Sequence, residues 1–537
     1  MNRDKIVTVG FCLVTLSIIT RLFYINNNEH VFLSQKFKNR IEKKIILYAH
    51  RGQILDRNQM PLAVSSPTLS IWTNNKIILN NLNNENNKEK IIQINDLLNI
   101  NLLDLINKKP NSTYFFIKRK INPSLQNKIE MINLEGLNVF YEDKRFYPYM
   151  NISSHVIGFT NVDDNGISGL EYSLNETLKG YNGVKFIELT PKGVMGEYQP
   201  QILQKDGNNV NISIDINIQT KVYNALSISY KTTKAKDISA VVLDAKTGEV
   251  ISLVNYPNYN PNIKSDIVRS NITVNKAIVN VYDPGSIMKP LVIAKAINDK
   301  IVNKNTIFDT SQLIVGKKKI KDDHFSPKLS VNDIITQSSD IGTAKIALKY
   351  QPKDLWDYYK SIGFGQKLNV GFPNETNGLL LNYKKWTTVD QALMSFGYGI
   401  SVSLLQMAHS YLIFTNNGCI NNVSFIKLNK NPICQQIISP TTANIMKEIL
   451  FNTVENGTGK SAKVDGVSVA GKTGTAQKFI NGKYYNTKHI SSFVGFFPVD
   501  KPKYIIAVMV DEPQNGYYAA ATAAPAFSNI VKSINGK

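Results

Sequence analysis

Asp283-Pro284-Gly285-Ser286-Ile287-Met288-Lys289-Pro290 runs without a break into Leu291-Val292-Ile293-Ala294-Lys295-Ala296-Ile297. Pro-Gly interrupts the chain, and the apolar, helix-forming run after it predicts a helix whose first turn carries Ser286 and Lys289 on one face. A serine hydroxyl is a poor nucleophile at neutral pH, and a buried lysine with a depressed pKa can take its proton. The start of the helix adds a backbone N–H for a developing oxyanion. Alone, the pattern is weak. Ser286 would serve equally as a helix N-cap. Ser424-Phe425-Ile426-Lys427 repeats the spacing inside an expected hairpin, where it carries no chemistry.

Two further motifs follow in order. Ser338-Ser339-Asp340 supplies hydroxyls and a carboxylate, and Lys472-Thr473-Gly474-Thr475 supplies a second cation flanked by hydroxyls. Ser-x-x-Lys, a Ser-x-Asn-type loop and a Lys-Thr-Gly strand together form the signature of serine enzymes that react with penicillin. In that setting Thr473 and Thr475 would hold a substrate carboxylate, and Gly474 would let a substrate backbone approach. An earlier Lys246-Thr247-Gly248 lies between Ala240-Val241-Val242-Leu243-Asp244 and Glu249-Val250-Ile251-Ser252-Leu253-Val254. It reads as a hairpin turn and is set aside.

Outward from these motifs the chain has three textures. Ile6 to Ile25 carries no charge apart from Arg21, is long enough to cross a bilayer with Arg21 snorkelling, and lacks a small-residue cleavage site after it. It is expected to be an uncleaved anchor, with Arg3 and Lys5 on the cytoplasmic side. Residues 27–207 mix short strands with polar turns. Within them, Arg51 to Val64 reads as a hairpin, and the Asn-rich stretch near residues 74–99 is expected to be loop or a poorly ordered insertion. From residue 208 a strand pair precedes a mainly helical region up to about residue 460. Strands return at Ser491–Phe497 and Tyr504–Asp511, and a helix begins near Ala524. Strands at both ends with helices between predict one α+β domain. The expected divisions are 1–26, 27–207 and 208–537.

Composition narrows the function. With 62 Lys plus Arg against 41 Asp plus Glu, the chain carries a formal charge of +21. Its Lys-, Asn- and Ile-rich bias explains that excess without selection, and attraction to anionic lipid or wall polymer is the functional alternative. No basic run interleaves with aromatics, so nucleic acid is not an expected partner. The 6 histidines are scattered and the 3 cysteines show no zinc spacing. Cys419 and Cys434 are expected to be free thiols, a bridge between them being the rarer case.

The motif set resembles the class B penicillin-binding proteins, specifically the division-type septal peptidoglycan transpeptidases, over nearly the whole chain. Arg51-Gly52 with Asp56-Arg57-Asn58, Arg145 to Pro148, His155 to Thr160 and Gly166 to Glu171 are similar to amino-domain motifs of that family. Asn275-Lys276-Ala277 and Val469 to Ala476 also match. The resemblance implies a penicillin-binding transpeptidase fold, an antiparallel sheet flanked by helices, preceded by an anchor and an elongated mixed pedestal. It implies that Ser286 is the acylated nucleophile and Lys289 its general base. Ser338 and Lys472 would relay protons, and Asp340, Thr473, Gly474 and Thr475 would contact substrate. The Ser286 and Thr475 N–H groups would form the oxyanion hole. The implied substrate is a peptidoglycan stem peptide ending in D-Ala-D-Ala, with no metal or organic cofactor. The implied partner is a SEDS-family glycan polymerase among other division proteins.

Two departures stand out. Asp340 replaces the usual Asn and is expected to lean towards Lys472. Tyr517-Tyr518 is followed by an Ala-rich run where Gly is expected, a change read as confined to a loop. Rival readings are an elongation-type transpeptidase, a β-lactamase or β-lactam sensor, and a catalytically retired scaffold. Glu448-Ile449-Leu450-Phe451-Asn452 imitates a hydrolase motif but falls in an apolar helical pattern. A Ser-His-Asp hydrolase lacks its Gly-x-Ser-x-Gly.

Overall fold

The computed structural model describes residues 3–190, 193–197, 202–268, 270–480 and 482–536. Its carboxy-terminal half is built on one antiparallel sheet: β1 (Asp237–Asp244), β2 (Val250–Tyr256), β3 (Ala470–Ile480), β4 (Lys483–Phe497) and β5 (Tyr504–Asp511). The order is β2-β1-β5-β4-β3, so strands from opposite ends of the domain meet in the middle. β1 and β5 read as unbroken apolar runs because both faces are covered, and successive side chains point to opposite faces. Val241, Leu243, Ile505, Ala507 and Met509 enter one core, while Ala240, Val242, Ile506, Val508 and Val510 enter the other.

Helices α1 (Ile216–Thr233) and α5 (Ala523–Asn535) pack together over the second core. Asp215 starts α1 by accepting from the N–H groups of Asn217 and Ile218. The first core holds α2 (Lys289–Asn298), α3 (Asp340–Ala347) and α4 (Pro440–Glu455). Glu448 lies on α4 as an exposed partner of Lys304, in keeping with a helix-surface role. The Lys246-Thr247-Gly248 segment is the β1–β2 turn, as its sequence predicts.

The amino-terminal part is a separate mixed sheet. Strand Ile54–Leu55 pairs antiparallel with Pro61–Thr73, and the latter pairs with Phe115–Ile121 and Leu137–Phe146. Strand Val210–Asn211 returns parallel to Ile54–Leu55, which ties this sheet to the chain entering the carboxy-terminal half. Across the junction, Lys427 Nζ donates to Arg57 O at 2.9 Å and Asn275 Nδ2 donates to His155 O at 2.9 Å.

A buried ion triad organises this part. Glu171, fully buried, accepts Arg51 Nη2 at 2.6 Å on one oxygen and Arg145 Nε at 2.6 Å on the other. Arg51 also donates to the carbonyls of Asp164 and Glu171 and to Asn175 Oδ1. Three motifs far apart in sequence thus meet at one carboxylate.

The helix preceding all this, Arg3–Tyr24, continues through Ile25–Glu29 into His30–Ile41. It is long and apolar enough to cross a membrane and none of its apolar window is buried in protein. Phe11, Leu13 and Phe23 are among its exposed side chains.

Two expectations are corrected. The Asn-rich stretch is ordered helix, Asn75–Asn80 and Glu85–Leu98. Asn84 caps the second helix by accepting from Asn86 N, and Asn99 ends it with φ 50°. Between those caps Ile91, Ile94 and Leu98 recur at helical spacing and are buried, so the asparagines are termini and solvent faces of an amphipathic helix. Cys419 and Cys434 form a disulfide, with a Cα separation of 5.5 Å. The short ladder Cys419–Ile420 with Gln435–Gln436 brings the cysteines together, a pairing that the spacing alone does not reveal.

Replacing Glu171 by Ala strands two buried guanidinium groups and should destabilise the pedestal by about 3–5 kcal/mol. Chemical denaturation followed by a pedestal-specific probe measures it, and a loss within error of zero contradicts the organising role. Replacing both Cys419 and Cys434 by Ala should lower the stability of the carboxy-terminal half by about 2–3 kcal/mol. Penicillin acylation at 25 °C should be retained.

Candidate active site

A one-turn 3₁₀ segment, Gly285–Met288, leads into α2 and carries Ser286 to the rim of a cleft of about 500 Å³. Ser338, Thr473, Thr475, His324 and Tyr518 line the same cleft. Ser286 lies within a helical turn and is not its N-cap. One turn on, Lys289 is fully buried, as is Lys472 on β3.

Close backbone approach brings these elements together. A Cβ on Gly474 would fall 2.8 Å from Pro284 O and 2.9 Å from Ser492 Oγ. One on Gly397 would fall 2.3 Å from Gly285 O. Glycine at 474 therefore admits β3 to the turn bearing Ser286, a reason that lies in protein packing and differs from the substrate contact expected of it. β3 is the edge strand of the sheet, and its far edge faces that turn.

Ser338 has φ 64°, in the left-handed region, immediately before Ser339 caps α3 by accepting from Gly342 N. That turn presents both its carbonyl and its hydroxyl to the lysines. Lys289 Nζ donates to Ser338 O at 2.5 Å and to Ser338 Oγ at 3.1 Å. Lys472 Nζ lies 3.0 Å from the same Oγ, and also contacts Thr458 Oγ1 at 3.3 Å and Thr473 O at 3.2 Å. Of the residues expected from sequence to be catalytic, Lys289, Ser338 and Lys472 are therefore in contact, with the Ser338 hydroxyl between two buried amines, and Ser286 lines the same cleft.

Asp340 is not where sequence reasoning put it. Its Oδ1 pairs with Lys289 Nζ at 2.6 Å. The side chain opens α3 one residue after the Ser339 cap, and the turn that aims Ser338 at both lysines directs Asp340 to the nearer one. Burial pushes the Asp340 carboxyl up, against the pull of Lys289. Burial drives Lys472 well below the ordinary lysine value, the charge of Lys289 adds to the fall, and Asp340 opposes it.

Several neighbours were missed. Asp283, in the stretch quoted first, accepts Tyr484 OH at 2.8 Å and Ser401 Oγ at 3.0 Å, fastening the β3–β4 hairpin to the catalytic turn. Asp322 accepts from Ser339 Oγ and Ile341 N, bracing the second motif. Thr458 lies in Gly457-Thr458-Gly459, whose paired glycines were the available signal; Tyr484 and Asp322 carried none. The 517–525 segment is more than a loop variant, since Ala519 N donates to Thr475 Oγ1 at 3.0 Å and Tyr518 lines the cleft. Ser424 and Lys427 lie apart from the cleft, the former bonded to Ile426 and the latter to Arg57.

Comparison with known proteins identifies the two halves of the chain. The penicillin binding protein transpeptidase domain family matches residues 238–532, and the penicillin-binding protein dimerisation domain family matches residues 46–212. A probable peptidoglycan D,D-transpeptidase PenA of Neisseria meningitidis is 35% identical over 537 residues, covering 99% of this chain and 92% of its own. The peptidoglycan D,D-transpeptidase FtsI of Escherichia coli is 32% identical over 494 residues, covering 90% and 83%. A mycobacterial penicillin-binding protein 3 complexed with aztreonam shares the fold, with TM-score 0.72 and 23% identity over 92% of this chain and 97% of that one. Two matched domains in tandem behind one apolar helix, and relatives aligned along almost the full length, mean that this chain belongs to the class B penicillin-binding proteins.

Proposed function

We propose that this protein is a serine D,D-transpeptidase that cross-links peptidoglycan stem peptides at the division septum and is a target of β-lactams. The observation that carries the reading is the convergence of Lys289 and Lys472 on the Ser338 hydroxyl in the cleft that Ser286 lines. Ser286 Oγ attacks the penultimate D-Ala carbonyl of a pentapeptide. The tetrahedral oxyanion is held by the N–H groups of Ser286 and Thr475. Collapse breaks the amide bond and releases terminal D-Ala, its amine taking the proton that Ser286 gave up. An amine from a neighbouring stem attacks the ester and yields the cross-link, and Ser286 recovers its proton. Lys289, Ser338 and Lys472 move the protons, while Thr473 and Thr475 bind the donor's carboxylate.

β3 is the edge strand of its sheet and brings Thr473 and Thr475 to the cleft, which supports this use, because an extended peptide lying there can take up backbone groups of the strand. Asp340 acts on the lysines rather than on substrate, since its carboxylate is engaged by Lys289. The chemistry calls for no cofactor. The division role, as against elongation, rests on the resemblance of residues 145–171 and 469–476 to the division-type motifs.

In this reading residues 1–26 are the cytoplasmic tail and anchor, 27–207 the pedestal, and 208–537 the transpeptidase. The anchor places the catalytic half outside the cytoplasmic membrane, with Arg3 and Lys5 inside. The anchor and pedestal hold the enzyme beside a SEDS-family glycan polymerase and other division proteins.

Fluorescent penicillin should label Ser286, as mapped by mass spectrometry of the modified peptide. Ser286→Ala should reduce acylation by about 10⁴-fold or more without loss of fold; label persisting there, or found on Ser424, rules the assignment out. A form lacking residues 1–29 should be soluble and acylate at the full-length rate, because the active-site residues all lie beyond residue 282. In cells depleted of the intact protein it should fail to restore division. Full rescue would reduce the anchor to an export device.

A further inference from the structure

The two lysines are unequal partners of Ser338. One carboxylate serves a buried site holding two amines, and it lies 2.6 Å from Lys289. Among the described residues, Lys472 has no carboxylate within ion-pair distance; its neighbours are the hydroxyls of Ser338, Thr458 and Thr473 and one carbonyl. A carboxylate in direct contact with an amine in a dry site favours the charged amine. Hydroxyls can donate to a neutral amine's lone pair, which a carbonyl cannot do. Lys289 therefore meets its charge partner, and Lys472 meets groups suited to an uncharged nitrogen. The other charged or titratable groups facing this cluster are Asp322 and Asp323, which act on Asp340, and Tyr398. His324 and Lys460 line the mouth of the cleft.

We propose that Asp340 holds Lys289 as an ammonium and so transfers the role of general base to Lys472, reached through the Ser338 hydroxyl. This rests on the transpeptidase reading and reassigns the base within it. In acylation the Ser286 proton passes to Ser338 Oγ as the Ser338 proton passes to Lys472 Nζ, and the Ser286 Oγ–carbon bond forms. Lys472 becomes an ammonium. As the carbon–nitrogen bond breaks, the proton returns through Ser338 to the leaving amine and Lys472 is neutral again. Lys289 keeps its own proton throughout and donates to Ser338 Oγ, stabilising charge that develops there. Asp340 touches no reacting atom and is a positioning residue. The strong depression of Lys472 by burial is in keeping with its uncharged state.

The experiment is a mutant cycle on the full-length protein in detergent, read as the rate of acylation by fluorescent penicillin. Arginine keeps its charge and cannot act as a base. With Asp340 present, Lys472→Arg should slow acylation by about 100-fold or more. In the Asp340→Asn background, where Lys289 is released to act as base, the loss should be at least about tenfold smaller. Equal losses in the two backgrounds overturn the proposal. Should Lys472→Arg not fold, Lys289→Arg decides alone: a loss below about 30-fold supports the proposal and a larger one overturns it. Asp340→Asn should also move the acidic limb of the pH–rate profile to lower pH, because the carboxylate raises Lys472. An unmoved limb separates Asp340 from the base and likewise overturns the proposal. Failure of the unmodified protein to be labelled at Ser286 would instead overturn the transpeptidase reading.

Discussion

Two lysine side chains buried beyond the reach of water, sharing one hydroxyl while a single carboxylate pairs with Lys289 alone, form the constraint around which the catalytic half is arranged. Burying an amine away from water costs several kcal/mol if it carries its charge, unless neighbours compensate. The compensation comes from three separate stretches of chain: the left-handed turn at Ser338, the carboxylate that opens α3, and the hydroxyls of Thr458 and Thr473. None of these can move without exposing an unmet amine. The site is rigid because it is electrostatically expensive to open.

The sheet makes such an arrangement possible. β3 carries Lys472 at an edge, and glycines at 474 and 397 let the edge strand and the 395–399 segment close on the turn that presents Ser286. The first core then fixes α2 behind that turn through Leu291, Val292 and Ile293, so Ser286 and Lys289 are set by apolar packing. Asp283 and Tyr484 tie the β3–β4 hairpin to the same place. Strand edge, helix start and hairpin are thereby held in a single geometry.

What was legible in the sequence was local. Pro284-Gly285 before an apolar run specifies a helix start, Lys472 to Thr475 specifies a strand, and the β1–β2 hairpin is written in two apolar runs on either side of Lys246-Thr247-Gly248. The direction of the Asp340 side chain was not legible, because it depends on a positive φ at Ser338, a non-glycine residue, and on which amine lies nearer after folding. The Asn-rich helices were misread because asparagine was taken as a turn former, although it equally caps helices and lines their wet faces. The Ile91, Ile94 and Leu98 spacing was present and was outweighed by composition. The hairpin spanning Cys419 and Cys434 was legible, but the disulfide was not, because it depends on the register of a two-residue ladder.

That disulfide has a bearing on how the molecule matures. A cysteine pair closes where thiols are oxidised and stays open where they are kept reduced. With the catalytic half outside the cytoplasm, as proposed above, the segment between Cys419 and Cys434 would be an open chain before translocation and a covalent ring after it. The bond would then be a chemical record of passage, written into the protein independently of whether its active site has ever turned over.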